Sequence, residues 1–439
     1  LELGPQGYID LARNHLKTCS ESKKEFYECV ILVMQGVQKF MLRYHDLALE
    51  MNKKAVAKIC KNLAYKPAVT FHEALQSLWF LFVVLHMESN ASSFSPGRLD
   101  ETLYSYYKQD IDSGMLKESE AIECLWLKFN EIVYLRNAHS AKYFAGFPIG
   151  FNICVGGQDQ NGNDFSNELS HLFLNAQEDI GLPQPNLSVR LHEHTNDELL
   201  KHAIRVVSKG SGMPQFFNDK AIIKAMEDLG ISHFDAMDYA IVGCVELTTQ
   251  GNNLGWSDSG MFNMNKVLEL TLNHGRCLLT GKQMGPDYGS LSTYTSFSDL
   301  ESAFEKMMDY FIDKMIPCLE EVEKAHIDIL PTAFLSSVID DCMEKGMDVT
   351  RGGAHYNLSG IQMIQANLAD SLAALKKLVY DEKKIDAADL EKALKENFSN
   401  NEVMRQMLLN RAPKYGNDVE WVDEIGAKWA LNFRNKLRK

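Results

Sequence analysis

A thiol and a carboxylate stand two residues apart at Cys244 and Glu246, where the apolar run Tyr239-Ala-Ile-Val-Gly243 meets Cys244-Val245-Glu246. Side chains on extended backbone alternate with period two. If the extended path continues past Gly243, both groups project to one side and line one enclosed cavity around a bound molecule. The structural alternative is a buried cysteine beside a surface glutamate. Other suggestive spacings carry less. His192-Glu193-His194 puts two imidazoles on one face of a strand but lacks a third ligand, so exposed histidines are expected and no metal. Asp159-Gln-Asn-Gly-Asn-Asp164 resembles a calcium loop, yet Ser170 stands where the closing glutamate belongs, and a hairpin turn is expected. Gly210, Gly212, Gly352 and Gly353 do not form a nucleotide phosphate loop.

The elements that must position Cys244 and Glu246 read as α/β. Apolar residues recur at helical spacing through Glu25–Met51, and a second helix is expected over Phe71–Met87. Ser89–Arg98, rich in Ser, Asn, Gly and Pro, is a loop directly after that helix. Then short apolar stretches alternate with helices: Gly150–Val155 and Ser166–Gln177, Asn186–Leu191 and Asp197–Ser208, Gln215–Phe217 and Lys220–Leu229, Tyr239–Gly243 and Met261–Asn273. Such alternation implies a parallel sheet, plausible as a barrel. The last third is mostly helical.

The net charge of −14 argues against a broad surface for nucleic acid or anionic lipid. The longest apolar run, Leu78–Leu85, is too short to span a bilayer, so no membrane association is expected. Nine scattered cysteines without a Cys-x-x-Cys pair fit free thiols in a reducing cytoplasm.

Gly243-Cys244-Val245-Glu246, followed by Gly251 and by Gly255-Trp256-Ser257-Asp258, resembles the cysteine loop of glycyl radical enzymes of the pyruvate formate-lyase superfamily. Collinear blocks agree: Phe94-Ser-Pro-Gly-Arg-Leu-Asp100, Pro185-Asn-Leu-Ser-Val-Arg190, Gly212-Met-Pro-Gln-Phe-Phe-Asn-Asp219, Gly352-Gly-Ala-His-Tyr-Asn357 and Tyr415-Gly-Asn-Asp418. The resemblance implies a ten-stranded α/β barrel of two parallel half-barrels enclosed by helices, of which residues 1–439 are the central part. It implies no bound cofactor, but a glycyl radical installed by a separate radical S-adenosylmethionine activase. Cys244 would become the thiyl that takes hydrogen from substrate. Because S–H and activated C–H bonds are similar in strength, a lowered thiol pKa is not required, in contrast to nucleophilic cysteines.

Glycine before Cys244, rather than a second cysteine, separates the chain from formate acetyltransferases. Cys-x-Glu resembles the eliminases and decarboxylases, with Glu246 as general base on a substrate hydroxyl. The expected activity is dehydration, or related C–O or C–N cleavage, of a small hydroxylated substrate. Arylacetate-type decarboxylation, a formate acetyltransferase-like reaction and a non-catalytic remnant or partner subunit are the alternatives. Asp258 falls where diol dehydratases place a substrate-binding aspartate, or it is a helix N-cap. Asn90-Ala-Ser-Ser93 corresponds to their Asn-Gly-His-Ser, so Ser93 matches while Ser92 replaces the histidine. Arg98 and Asp100 are expected to fix a loop rather than touch substrate. Nothing after Asn417 resembles the family's radical-glycine segment, so both ends are expected to be missing, as in a fragment or a split enzyme inactive alone. The full-length protein is expected to be a cytoplasmic homodimer.

Overall fold

The computed structural model describes residues 1–89, 93–121, 150–182, 184–255 and 259–438. The chain divides into two compact units, Leu1–Ser257 with His326–Ser359, and Asp258–Ala325 with Gly360–Lys439.

In the first unit the helix expected from Glu25 runs over Glu21–Glu50 and buries Tyr27, Val30, Met34, Val37 and Met41, a three-to-four spacing that makes one apolar stripe. The helix Phe71–Ser89 is apolar on nearly every side, and its Phe71, Phe80 and Phe82 are buried. Both contribute to a core that continues beneath a parallel sheet.

That sheet has the order β1 (Gly97–Arg98), β2 (Asn152–Gly156), β3 (Asn186–Leu191) and β4 (Gln215–Asn218), all parallel. Register aligns Arg98 with Cys154 and Cys154 with Ser188. The crossovers carry the helices Glu168–Ile180 and Asp197–Val207. The first starts where Asn167 accepts the amides of Leu169 and Ser170, and stops at left-handed Gly181.

Period two divides the sheet. Ile153, Val155, Leu187 and Val189 enter the helix-covered core. Asn152 and Cys154 on β2, and Asn186, Ser188 and Arg190 on β3, occupy the alternate positions. This second face is buried too, so its polar groups need partners. Its strongest anchor is Arg190, which is fully buried and donates to Asp219 at 2.9 and 3.0 Å and to the carbonyls of Tyr239 and Met237. Gly157 has no side chain because a Cβ there would lie 2.6 Å from Arg190 Nε.

After β5 (Tyr239–Val242) the chain reverses into antiparallel β6 (Glu246–Thr249), with Val242 opposite Glu246. The extended path expected through Cys244 is therefore not followed. Gly243, Cys244 and Val245 form a three-residue turn, entered through Gly243 at φ +59°. In the second unit β7 (Gly260–Phe262) pairs in parallel with β8 (Ile361–Met363), a strand pair the sequence pattern did not show. The helix expected from Met261 begins at Met264, because Met261 and Phe262 are claimed by β7 and Asn263 caps the helix through Lys266 N.

The histidine pair also differs from expectation. β3 ends at Leu191, and His192–His194 lies in a turn in which His192, its side chain almost fully covered, meets Asp164 at 3.1 Å. Asp159–Asp164 is the expected hairpin turn, with Asp159 Oδ1 accepting the amides of Asn161 and Asn163. Among the described residues no helix is long and apolar enough to cross a membrane, and no group of His, Cys, Asp and Glu is placed to hold a metal.

Candidate active site

The turn is fixed from beneath by residues on three segments. Ser95, in the loop before β1, accepts Gly243 N–H and Asn152 N–H through its Oγ, each at 3.1 Å. The carbonyl of Gly243 accepts Asn152 Nδ2 at 3.0 Å and Asn186 Nδ2 at 2.9 Å. The two amides are themselves oriented, Asn152 by Ser188 Oγ at 2.9 Å and Asn186 by Gln184 Nε2 at 2.6 Å. A buried polar set of this kind is stable because its members satisfy one another.

Glu246 closes the turn from above. Its Oε2 accepts Cys244 N–H at 2.7 Å and Val245 N–H at 2.9 Å, so the carboxylate folds back over the turn instead of pointing outward from β6. The cysteine and the carboxylate are thus joined by a turn, and not by the period-two alternation of a continued strand. A Cβ added at Gly243 would lie 2.9 Å from both Glu246 Oε2 and Ser93 Oγ, which explains the glycine and places Ser93 at the same turn. Ser93 itself has φ +72°, an uncommon conformation for a serine.

Cys244 is exposed and Glu246 half-buried. Among the described residues, the exposure of Cys244 does not match the enclosed cavity expected around both groups. Ser92 and Asp258 lie outside the described residues. A cavity of about 380 Å³ in the second unit, lined by Leu268, Glu269, Leu278, Ala374, Leu390 and Lys414, contains none of the candidate residues.

Arg98 and Asp100 hold the framework, as expected. Arg98 is buried, with Nη1 2.8 Å from Asp238 and Nη2 donating to the carbonyls of Gly156 and Gln158. Asp100 Oδ2 accepts Gly156 N–H and Ser170 O–H. Next to them burial pushes the Cys154 thiol up to about 12, so that it stays protonated and inert.

Asn152 and Asn186 escaped the sequence reading as site residues. The signal was Asn186-x-Ser188-x-Arg190, polar side chains at every second position of an otherwise apolar strand.

A family model described as pyruvate formate lyase-like matches residues 1–439. The chain belongs to this family of glycyl radical enzymes. It is 33% identical to (2S)-3-sulfopropanediol dehydratase of Klebsiella oxytoca, the alignment covering 97% of this chain and 54% of that protein. It is 35% identical to trans-4-hydroxy-L-proline dehydratase of Clostridioides difficile over 87% of this chain and 49% of that one. Among solved structures, the glycerol-bound B12-independent glycerol dehydratase of Clostridium butyricum superposes with a TM-score of 0.89 at 37% identity, covering 99% of this chain and 57% of that chain. The chain thus spans about half the length of the curated relatives it matches.

Proposed function

We propose that the chain is the central, catalytic part of a glycyl radical eliminase that removes a leaving group from a small hydroxylated molecule, by dehydration or a related C–O or C–N cleavage. The observation that carries this reading is the pinned turn, which puts an exposed Cys244 next to a carboxylate held 2.7 Å from the Cys244 amide. An exposed thiol at the tip of a fixed turn suits hydrogen-atom exchange with partners that approach it from outside. The radical, on a glycine outside residues 1–439 and installed by a radical S-adenosylmethionine activase, supplies the one-electron oxidation.

Cys244 would give its sulfur-bound hydrogen atom to that radical and then take one from the substrate carbon that bears the hydroxyl. Glu246 accepts the hydroxyl proton, the electron density left on that carbon expels the group on the neighbouring carbon, and the proton then passes from Glu246 to the departing group, which leaves as water or amine. Cys244 returns its hydrogen to the product radical. Ser93 lies beside the turn, and Ser92 and Asp258 belong to segments flanking it in sequence; we assign all three to the substrate. The described sheet then forms part of one half of a ten-stranded barrel, in a cytoplasmic homodimer.

The test uses the enzyme completed with its radical-glycine part and deuterated substrate. Cys244→Ser abolishes turnover and isotope exchange, because an O–H bond is too strong to be broken reversibly here. Glu246→Gln still washes deuterium into the protein but loses on the order of 10²-fold or more in turnover. Wild-type turnover by Glu246→Gln removes the base assignment, and product formation by Cys244→Ser removes the mechanism.

A further inference from the structure

We infer that Asn152 and Asn186 are positioning residues for the reaction, acting on Glu246 through the Gly243–Cys244 peptide plane. This rests on the proposed roles of Cys244 and Glu246, and extends them to two residues that touch neither side chain.

A peptide unit is planar, so the carbonyl of Gly243 and the N–H of Cys244 point in opposite directions and turn together. Two amide donors hold the carbonyl, at 3.0 Å from Asn152 and 2.9 Å from Asn186. The N–H on the other edge therefore points at Glu246 Oε2, which it meets at 2.7 Å. Flipping the plane would break both amide contacts and turn the carbonyl oxygen toward the carboxylate, a repulsive arrangement. Gly243 alone does not prevent that flip, because glycine tolerates many backbone conformations.

Neither amide is free to swivel. Asn152 and Asn186 are buried, and each side-chain oxygen is held by a donor, Ser188 or Gln184. The donor ends must then face Gly243. Two adjacent parallel strands thus set the direction of one peptide, and that peptide sets where the carboxylate rests. Pre-oriented donors of this kind need no reorganisation at the moment of reaction.

The experiment compares wild type with Asn186→Asp, which preserves volume but replaces the donor with an acceptor, and with Asn152→Ser as a second variant. Hydrogen exchange read by mass spectrometry is followed at Cys244 and Val245, and at Val155 and Val189 as strand controls. Exchange at Cys244 and Val245 should accelerate at least tenfold while the strand amides keep their protection. In the completed, activated enzyme kcat should fall at least tenfold with KM changed less than twofold, and the acidic limb of the kcat–pH profile should move. Unchanged exchange at Cys244 and Val245 overturns the inference whatever the activity. Faster exchange with unaltered kcat and pH profile also overturns it, since the plane would then be held without serving the chemistry. Failure of the eliminase reading shows elsewhere, as full turnover by Glu246→Gln.

Discussion

Replacing Asp219 with asparagine tests whether the buried ion pair at the end of β3 supports the cysteine hairpin. Asp219 is fully buried and receives four donors: Arg190 Nε and Nη2, Gln158 Nε2 at 3.0 Å and Tyr239 O–H at 2.8 Å. These divide evenly, with Arg190 Nε and Tyr239 on Oδ1, and Arg190 Nη2 and Gln158 on Oδ2. An asparagine therefore turns its NH₂ toward two donors in either orientation, and the buried guanidinium loses its counter-charge. Breaking such a pair from one side costs about 3–5 kcal/mol. With an unfolding entropy of about 2.1 cal/mol/K per residue, a first unit of about 290 residues carries ~0.6 kcal/mol/K. A loss of ~4 kcal/mol then lowers its Tm by about 6–7 °C. Differential scanning calorimetry reads the shift. Tyr239→Phe, which removes one donor and leaves the charges paired, should move Tm by only about 2 °C. A drop below about 2 °C for Asp219→Asn would refute the claim that this pair anchors Tyr239 and the strand that leads to Cys244.

Gly243→Ala should reduce turnover of the completed enzyme at least tenfold, because its Cβ collides with Glu246 and Ser93; a steady-state assay with unchanged kcat would contradict that contact. The His171 and His202 rings face each other with Nδ1 atoms 3.0 Å apart, and burial, with Arg205 and His171 nearby, lowers His202 to about 4. The unfolded chain binds this proton from about pH 6.5 downward while the folded one refuses it until about 4, so stability is full above pH 6.5 and falls through that window, by a total on the order of 3 kcal/mol. Urea midpoints measured from pH 7 to 4.5 should flatten in His202→Asn, and equal slopes would exclude the effect. Lys266 Nζ lies 3.0 Å from Cys277 Sγ, and that contact, with Thr280, lowers the thiol to about 7. Thiolate absorbance at 240 nm, taken as the difference between wild type and Cys277→Ser because the thiol is buried, should titrate near pH 7 and shift upward in Lys266→Met; an unmoved midpoint would deny the lysine its influence.

The parallel sheet was legible because its signal is local. Asn186–Leu191 and Asp197–Val207 lie almost where alternation and amphipathic spacing put them, and Asn167 and Gly181 mark a helix by their own chemistry. The turn at Cys244 was not, because its direction depends on Ser95, Asn152 and Asn186, remote in sequence, which pull Gly243 downward. A three-residue reversal and a continued strand look alike in Val-Gly-Cys-Val-Glu. Short β7 went unread for a similar reason, since three residues carry too little periodicity to separate from the helix that follows. Cys244 and Glu246 stood out in the sequence by spacing and by the family resemblance, while the residues beneath the turn are gathered only by the fold.

The proposed reaction gives the Glu246 carboxylate two tasks, since it holds two backbone amides and also accepts a substrate proton. Hydrogen bonds to an ionised acceptor are roughly twice as strong as those to a neutral one. On the proposed mechanism, uptake of a substrate proton would slacken the grip on Cys244 and Val245 in the same event that serves the base. On that reading the turn would be stiffest before the proton is taken and more yielding until Glu246 passes it on. The amide clamp below keeps the peptide from turning over in that interval. In the proposed reaction protonation would thus work as a timer, tying the stiffness of the cysteine's support to progress along the reaction.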